Sequence, residues 1–153
     1  MTAGAIRYTD DLDGLSAADL AGFWEGWPTP PSAARHLRAL RGSEVAILAV
    51  DDATGRVVGF VTAVGDGELA AFLPFLEVLP EYRGRGIGRE LVRRVVEALG
   101  GRYAIDLVCD DDLVPYYERL GFTRLTAMAI RDRGALAADD PAHAPPARTE
   151  DGR

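Results

Sequence analysis

Val78-Leu79-Pro80-Glu81-Tyr82-Arg83-Gly84-Arg85-Gly86-Ile87-Gly88-Arg89 is the stretch on which the reading of this chain turns. An apolar run stops at a proline, three glycines alternate through a turn, and an amphipathic helix begins. A turn of this kind presents a row of backbone N–H groups beside a helix N-terminus, which is a seat for phosphate oxygens. Beyond it, Ile87, Leu91, Val92, Val95, Val96 and Leu99 recur at helical spacing and form one apolar stripe. Glu90–Arg94 and Arg93–Glu97 are i,i+4 pairs on the other face, and Gly100-Gly101 ends the helix. Arg83, Arg85, Arg89, Arg93 and Arg94 gather around the turn, which predicts a positive spot where an anion docks. No Gly-x4-Gly-Lys-Ser/Thr is present, so the turn is not a P-loop. Gly84-x-Gly86-x-Gly88 also fails the Gly-x-Gly-x-x-Gly spacing and comes late in the chain, which argues against a dinucleotide-binding oxidoreductase.

Upstream, Ala5–Thr9 reads as a short strand. Ser16-Ala-Ala-Asp19 has the form of a capping box and predicts a helix to about Glu25, ended by Trp27-Pro28-Thr29-Pro30-Pro31. Ser32 caps a second helix through Arg41. Val45–Val50 and Val57–Val64, joined by Asp51-Asp52-Ala53-Thr54-Gly55, form a hairpin. Ala70–Leu79 is a third apolar run, and Pro74 inside it points to a bulge or an edge. After the glycine-turn helix come a strand at Tyr103–Cys109, an acidic turn at Asp110–Asp112, a short helix at Val114–Leu120 and a last strand at Thr123–Ile130. The order predicts an α+β (mixed α/β) fold: a mainly antiparallel sheet flanked by helices, with the strands on either side of the glycine-turn helix parallel. Residues 1–131 make a single domain, and residues 132–153 lack periodicity and read as a disordered tail.

The 153 residues carry a net charge of −7, which disfavours nonspecific nucleic-acid binding. Every basic side chain other than histidine is arginine, so Schiff-base chemistry on a lysine is ruled out. One cysteine, Cys109, gives no internal disulfide, and with only His36 and His143 no metal site is expected. His36 falls among arginines and is expected at the surface. No apolar stretch spans a bilayer and the N-terminus lacks a signal-peptide layout, so the expected setting is the cytoplasm, with no membrane partner.

Arg83-x-x-Gly86-x-Gly88, with Tyr116-Tyr117-Glu118-Arg119-Leu120-Gly121-Phe122 about thirty residues on, resembles the GNAT superfamily of acyl-CoA-dependent N-acetyltransferases. The resemblance covers roughly Val45 to Ile130. It implies that acetyl-CoA is the cofactor and that Ala70–Leu79 and Tyr103–Cys109 splay apart to admit its pantetheine arm, with Pro74 at the bulge. Val78, Arg83, Gly84, Arg85, Gly86, Ile87, Gly88 and Arg89 become the cofactor-binding residues, Val78 through its main-chain amide at the thioester carbonyl. Tyr117 matches the family's tyrosine acid for the leaving thiolate, and Tyr116 is read as packing. The family often has an asparagine before this second motif; here Asp110-Asp111-Asp112 stands there and is expected to cap the next helix.

Deprotonating the acceptor ammonium calls for a carboxylate. Glu77 and Asp106 both lie in apolar runs flanking the predicted cleft, where desolvation raises a carboxyl pKa toward the useful range. Glu77 ranks first because it adjoins the predicted oxyanion position. Trp24 and Trp27 are candidate walls of the acceptor site. The expected reaction is direct acetyl transfer in a ternary complex to a small-molecule or peptide amine. The alternative is a non-catalytic acyl-CoA-binding or regulatory domain of the same fold. The brief last strand leaves the sheet open to a partner subunit, so a homodimer is a further expectation.

Overall fold

The computed structural model describes residues 4–136. The central hairpin forms where β-branched runs meet a tight turn. β2 (Val45–Asp51) and β3 (Arg56–Gly65) pair antiparallel, closed by Gly55 N donating to Asp51 O at 2.7 Å, with Gly55 at φ 70°. β1 (Ile6–Thr9) adds antiparallel to the outer edge of β2. The opposite edge of β3 carries two short strands in succession, β4 (Ala70–Phe72) and β5 (Leu76–Val78).

The break between β4 and β5 is a bulge. From Val61↔Leu76 to Val64↔Phe72, β3 advances three residues while the opposite strand takes four. The extra residue falls at Leu73-Pro74-Phe75, so of the bulge or edge that Pro74 pointed to, the bulge is present. β6 (Ala104–Asp106) then pairs parallel with β4 alone, and Leu73 N donating to Asp106 O at 2.9 Å is the last bond between them. Beyond this point β5 stays on β3 and the two parallel strands part. The ladder order is β1-β2-β3-β4-β6, with β5 on β3, so the expected mixed sheet with two splayed parallel strands is present.

Of the helices, α1 spans Ala33–Gly42, with the Ser32 hydroxyl accepting from Arg35 N at 3.1 Å. α2 (Ile87–Ala98) buries Ile87, Leu91, Val92 and Val95 against the sheet, each contributing about 1.5–3 kcal/mol relative to exposure. Gly59 permits this approach: a Cβ there would stand 3.2 Å from Glu77 O and from Leu91 Cδ1. α3 (Val114–Arg119) follows a single 3-10 turn.

Four sequence expectations are corrected. The Ser16 cap exists, with Ser16 N and Oγ donating to Asp19 Oδ2 at 2.8 and 2.7 Å, but the helix closes after one 3-10 turn, Ala17–Leu20. Gly22, Trp24 and Gly26 all take positive φ, which no continuing helix accommodates. The strand expected at Tyr103–Cys109 holds only over Ala104–Asp106, because its partner leaves at the bulge. Thr123–Ile130 forms no strand among the described residues. His36 is 2% exposed rather than superficial. Most of the expected tail lies outside the described residues; its first part ends in one turn, Gly134–Leu136.

Candidate active site

The site is built where the sheet opens. A cavity of about 360 Å³ lies between β5 and the chain just beyond β6. Leu73–Glu77 form one wall, Leu107–Asp110 the other, and Trp27, Val61, Val92, Leu113, Tyr117 and Arg131 complete it. Two of the predicted catalytic residues, Glu77 and Tyr117, therefore face one space. Asp106 does not: it is exposed at the end of β6 and is absent from the cavity lining. Asp106 stands where β6 is still paired with β4, opposite Phe72 and accepting from Leu73 N, before the strands part.

Strand alternation also fixes the Val78 amide. Leu79 N donates to Val58 O and Thr62 N donates to Phe75 O, both across to β3. Residues 75, 77 and 79 thus direct their main-chain groups at β3, and 76 and 78 direct theirs the other way, toward the opening. Val78 N–H points where no strand remains to accept it.

Glu77 is half-buried. Its Oε2 accepts from Trp24 N at 2.8 Å. Burial raises its pKa; the Trp24 amide and the Arg83 charge oppose that shift, and Glu25 adds to it. Tyr117 is packed edge-on against Tyr116 and Phe122, with centroids 5.0 and 5.8 Å away. Burial, with smaller contributions from Tyr116 and Cys109, pushes its pKa up to about 12, so the phenol keeps its proton. The Cys109 thiol is also pushed up, by burial and then by Asp110, Asp111 and Asp112, which suits a non-nucleophilic role.

The glycine turn lies at the other end of β5. Gly84 (φ 75°) and Gly86 (φ 78°) are left-handed, and Gly86 stands at the N-cap of α2. With no side chain capping this end, the amides at Ile87, Gly88 and Arg89 are unpaired within the helix. Among the described residues, nothing beyond the adjoining ones lies within 4 Å of where a Cβ would stand on Gly84 or Gly86, so the space above the amides is open. Tyr116 Oη comes 3.1 Å from the corresponding point on Gly88. Arg83 donates from Nε to Val78 O at 3.1 Å and pairs with Glu25 at 3.1 Å. Arg85 donates to Glu81 O at 3.1 Å and lies 4.8 Å over the Tyr82 ring. Both arginines are exposed, and such contacts are weak enough to exchange for a phosphate. The donor set fits a diphosphate.

The predicted arginine spot is smaller than the sequence implied. Arg93 is bonded to Glu90 and Glu97, and Arg94 to Glu90 while lying over Tyr8. These charges brace α2 and hold the Glu90 carboxyl at a pKa of about 2. Trp24 is likewise not a cavity wall: it is 7% exposed and packs behind Trp27, which does line the cavity. Asp110 takes the N-cap position of its 3-10 turn without a side-chain capping bond. Arg131 was not foreseen, because it follows a segment read as a strand.

A pair of parallel strands that part midway within a mixed sheet, with an amide-lined helix end beside the gap, defines a coenzyme A-binding acyltransferase fold. The acetyltransferase (GNAT) family matches residues 12–122, and the chain belongs to that family. The crystal structure of a candidate acetyltransferase from Deinococcus radiodurans R1 is similar at 47% identity and TM-score 0.83, covering 86% of this chain and 92% of that one. An aminoglycoside N-acetyltransferase in complex with CoA shares the fold at TM-score 0.60 and 20% identity, covering 84% of this chain and 94% of that one. A chloroplastic serotonin N-acetyltransferase 2 from Oryza sativa subsp. japonica is 37% identical over 89 residues, 56% of this chain and 44% of that protein. The chain spans about half the length, or less, of the curated relatives it matches. Acetyl-CoA is the family's cofactor. No helix among the described residues is long and apolar enough to cross a membrane.

Proposed function

We propose that the protein transfers an acetyl group from acetyl-CoA to an amine by direct attack. The observation that carries this is the placing of Glu77 and Tyr117 on one cavity between strands that part beside an amide-lined turn. The main-chain donors from Gly84 to Arg89, with Arg83 and Arg85, hold the diphosphate, and the bound cofactor supplies an activated acetyl thioester. Val78 N–H is offered to the carbonyl oxygen as negative charge builds there. Glu77 takes a proton from the acceptor ammonium, so that the neutral nitrogen can form the new C–N bond. Tyr117 gives its proton to the departing sulfur as the C–S bond breaks. Glu77 is preferred to Asp106 because only Glu77 is both half-buried and on the cavity. Trp27, Phe75 and Glu77 suit a cationic amine, from a small molecule or a peptide, carried on an apolar body. The cytoplasm is the setting we assign.

The test is thiol release from acetyl-CoA across an amine panel, with Glu77→Gln and Tyr117→Phe beside the native protein. Turnover that falls roughly 10²–10⁴-fold in Glu77→Gln supports the reading. Cofactor binding without turnover for any amine would leave the non-catalytic acyl-CoA-binding domain in its place.

A homodimer is part of the same proposal. Residues 123–131 make no backbone–backbone hydrogen bond among the described residues. Met128 and Ile130 are each 97% exposed, and β6 keeps an open edge among the described residues. A second copy supplies matching pairing groups by two-fold symmetry. Sedimentation as a monomer at micromolar concentration would remove this assignment.

A further inference from the structure

Trp24 is the one residue other than glycine with positive φ among the described residues, at 70°. A bulky side chain in the left-handed region is strained, and such strain persists only where the surroundings over-determine it. Here they do. The indole is 7% exposed and lies against four rings: Trp27 at 5.0 Å, His36 at 4.9 Å, Phe75 at 5.1 Å and Phe60 at 5.8 Å between centroids. Glycine would relieve the backbone but give up this anchor. Gly22 and Gly26, at φ 91° and 81°, let the chain turn sharply on either side. The outcome of the turn is a single directed contact, Trp24 N–H to Glu77 Oε2 at 2.8 Å, joining residues 53 apart in sequence.

We propose that Trp24 is a positioning residue for the Glu77 base: its buried ring fixes a left-handed turn whose amide holds one carboxylate oxygen and leaves the other to take the acceptor's proton. This rests on the assignment of Glu77 as base. It moves Trp24 from the acceptor wall, where the sequence put it, to the support behind the reacting group. A carboxylate on a strand otherwise swings about its terminal torsions. Tying Oε2 to the main chain limits that motion and supplies a hydrogen bond to the charged form. The groups facing the carboxylate are the Trp24 amide, Arg83 and Glu25, and Arg83 and Glu25 are paired with each other on the exposed side.

The experiment is an amide NMR titration of the full chain, set beside the pH dependence of kcat/KM. The Trp24 amide proton is expected to shift with pH at the midpoint of the acid limb of kcat/KM, and that shift is expected to vanish in Glu77→Gln. Replacing the Trp24 peptide N–H by an ester oxygen, with the indole retained, is expected to move the acid limb to higher pH. It is also expected to lower kcat roughly ten- to a hundredfold while the thermal shift with CoA is kept. A Trp24 amide that does not titrate, or that titrates away from the kinetic midpoint, overturns the proposal. So does a folded ester variant with an unmoved limb. If Glu77→Gln keeps full turnover, the base assignment fails instead, even while the Trp24 amide still reports the Glu77 charge. If the ester variant does not fold, the native titration and its loss in Glu77→Gln still decide.

Discussion

Tyr82 Oη donates to Asp51 Oδ2 at 2.7 Å, tying the residue before the cofactor turn to the far end of the β2–β3 hairpin. Asp51 is buried, and its other oxygen accepts from Ala53 N at 2.9 Å. The carboxylate raises the pKa of the Tyr82 phenol through this bond, which keeps the donor protonated. One side chain thus closes the hairpin turn and moors the start of the phosphate seat. Arg83, Gly84 and Gly86 inherit their place from it.

Tyr82→Phe is therefore expected to act on binding more than on chemistry. A buried carboxylate oxygen is left without its partner, so the melting temperature falls by roughly 2–12 °C. The cofactor-induced thermal shift shrinks as the turn loosens, while kcat at saturating acetyl-CoA changes little. A kcat loss as large as that of Glu77→Gln would show that Tyr82 acts on the reaction instead.

For Tyr117→Phe the division is reversed. The ring packing on Tyr116 and Phe122 survives and only the hydroxyl is lost. Turnover is expected to fall roughly 10²-fold or more with CoA affinity retained. Because burial pushes this phenol up to about 12, the native enzyme is expected to show no alkaline loss of kcat from Tyr117 below about pH 11. A pH–rate profile to pH 10.5 checks this, and an alkaline limb near pH 9 that disappears in Tyr117→Phe would show that burial does not raise this phenol, while leaving it as the acid.

The parts of the fold legible in the sequence were those where local chemistry and tertiary demand coincide. The hairpin across Asp51–Gly55, the α2 stripe and the bulge at Pro74 each have one residue pattern and one structural answer. What was illegible needed a partner or a phase. The Ser16 cap is real, yet Gly22 and Gly26 overrule the helix it begins, and nothing local signals that Trp24 joins them at positive φ. Thr123–Ile130 has strand composition but no neighbour within the described chain to pair with. His36 was misread from its arginine neighbours, although four residues separate it from Leu40 and that spacing places both on the buried face of α1. Asp106 falls outside the cavity because β6 leaves β4 only after it, and no local pattern in the sequence marks that point.

Gly86→Ala tests the seat directly. At φ 78° a Cβ meets no neighbour, so the cost lies in the left-handed backbone alone, about 1–2 kcal/mol. The expected result is a modest fall in melting temperature together with loss of most of the thermal shift given by CoA, because relaxation of Gly86 turns the α2 amides away from the anion. Gly67→Ala, equally left-handed at φ 81° but in the β3–β4 turn, is the control: it pays a similar stability cost and keeps the shift. Equal CoA responses in the two variants would mean that the turn does not hold the diphosphate.

His36 makes folding sensitive to mild acid. It is 2% exposed among Phe23, Trp24 and Phe60, neither ring nitrogen has a hydrogen-bond partner among the described residues, and desolvation lowers its pKa to about 4. In the unfolded chain the ring titrates near its ordinary value of about 6.5. Between these values the unfolded state binds the additional proton, so stability is complete above pH 6.5 and declines as pH falls toward 4. The full window is worth on the order of 3 kcal/mol, of which about 2 kcal/mol is gone by pH 5. Urea unfolding at pH 7 and pH 5 measures this. His36→Leu is expected to be less stable than native at pH 7 through imperfect packing, yet to lose about 2 kcal/mol less on going to pH 5. An identical loss in the two proteins would mean that His36 carries its proton in the folded state.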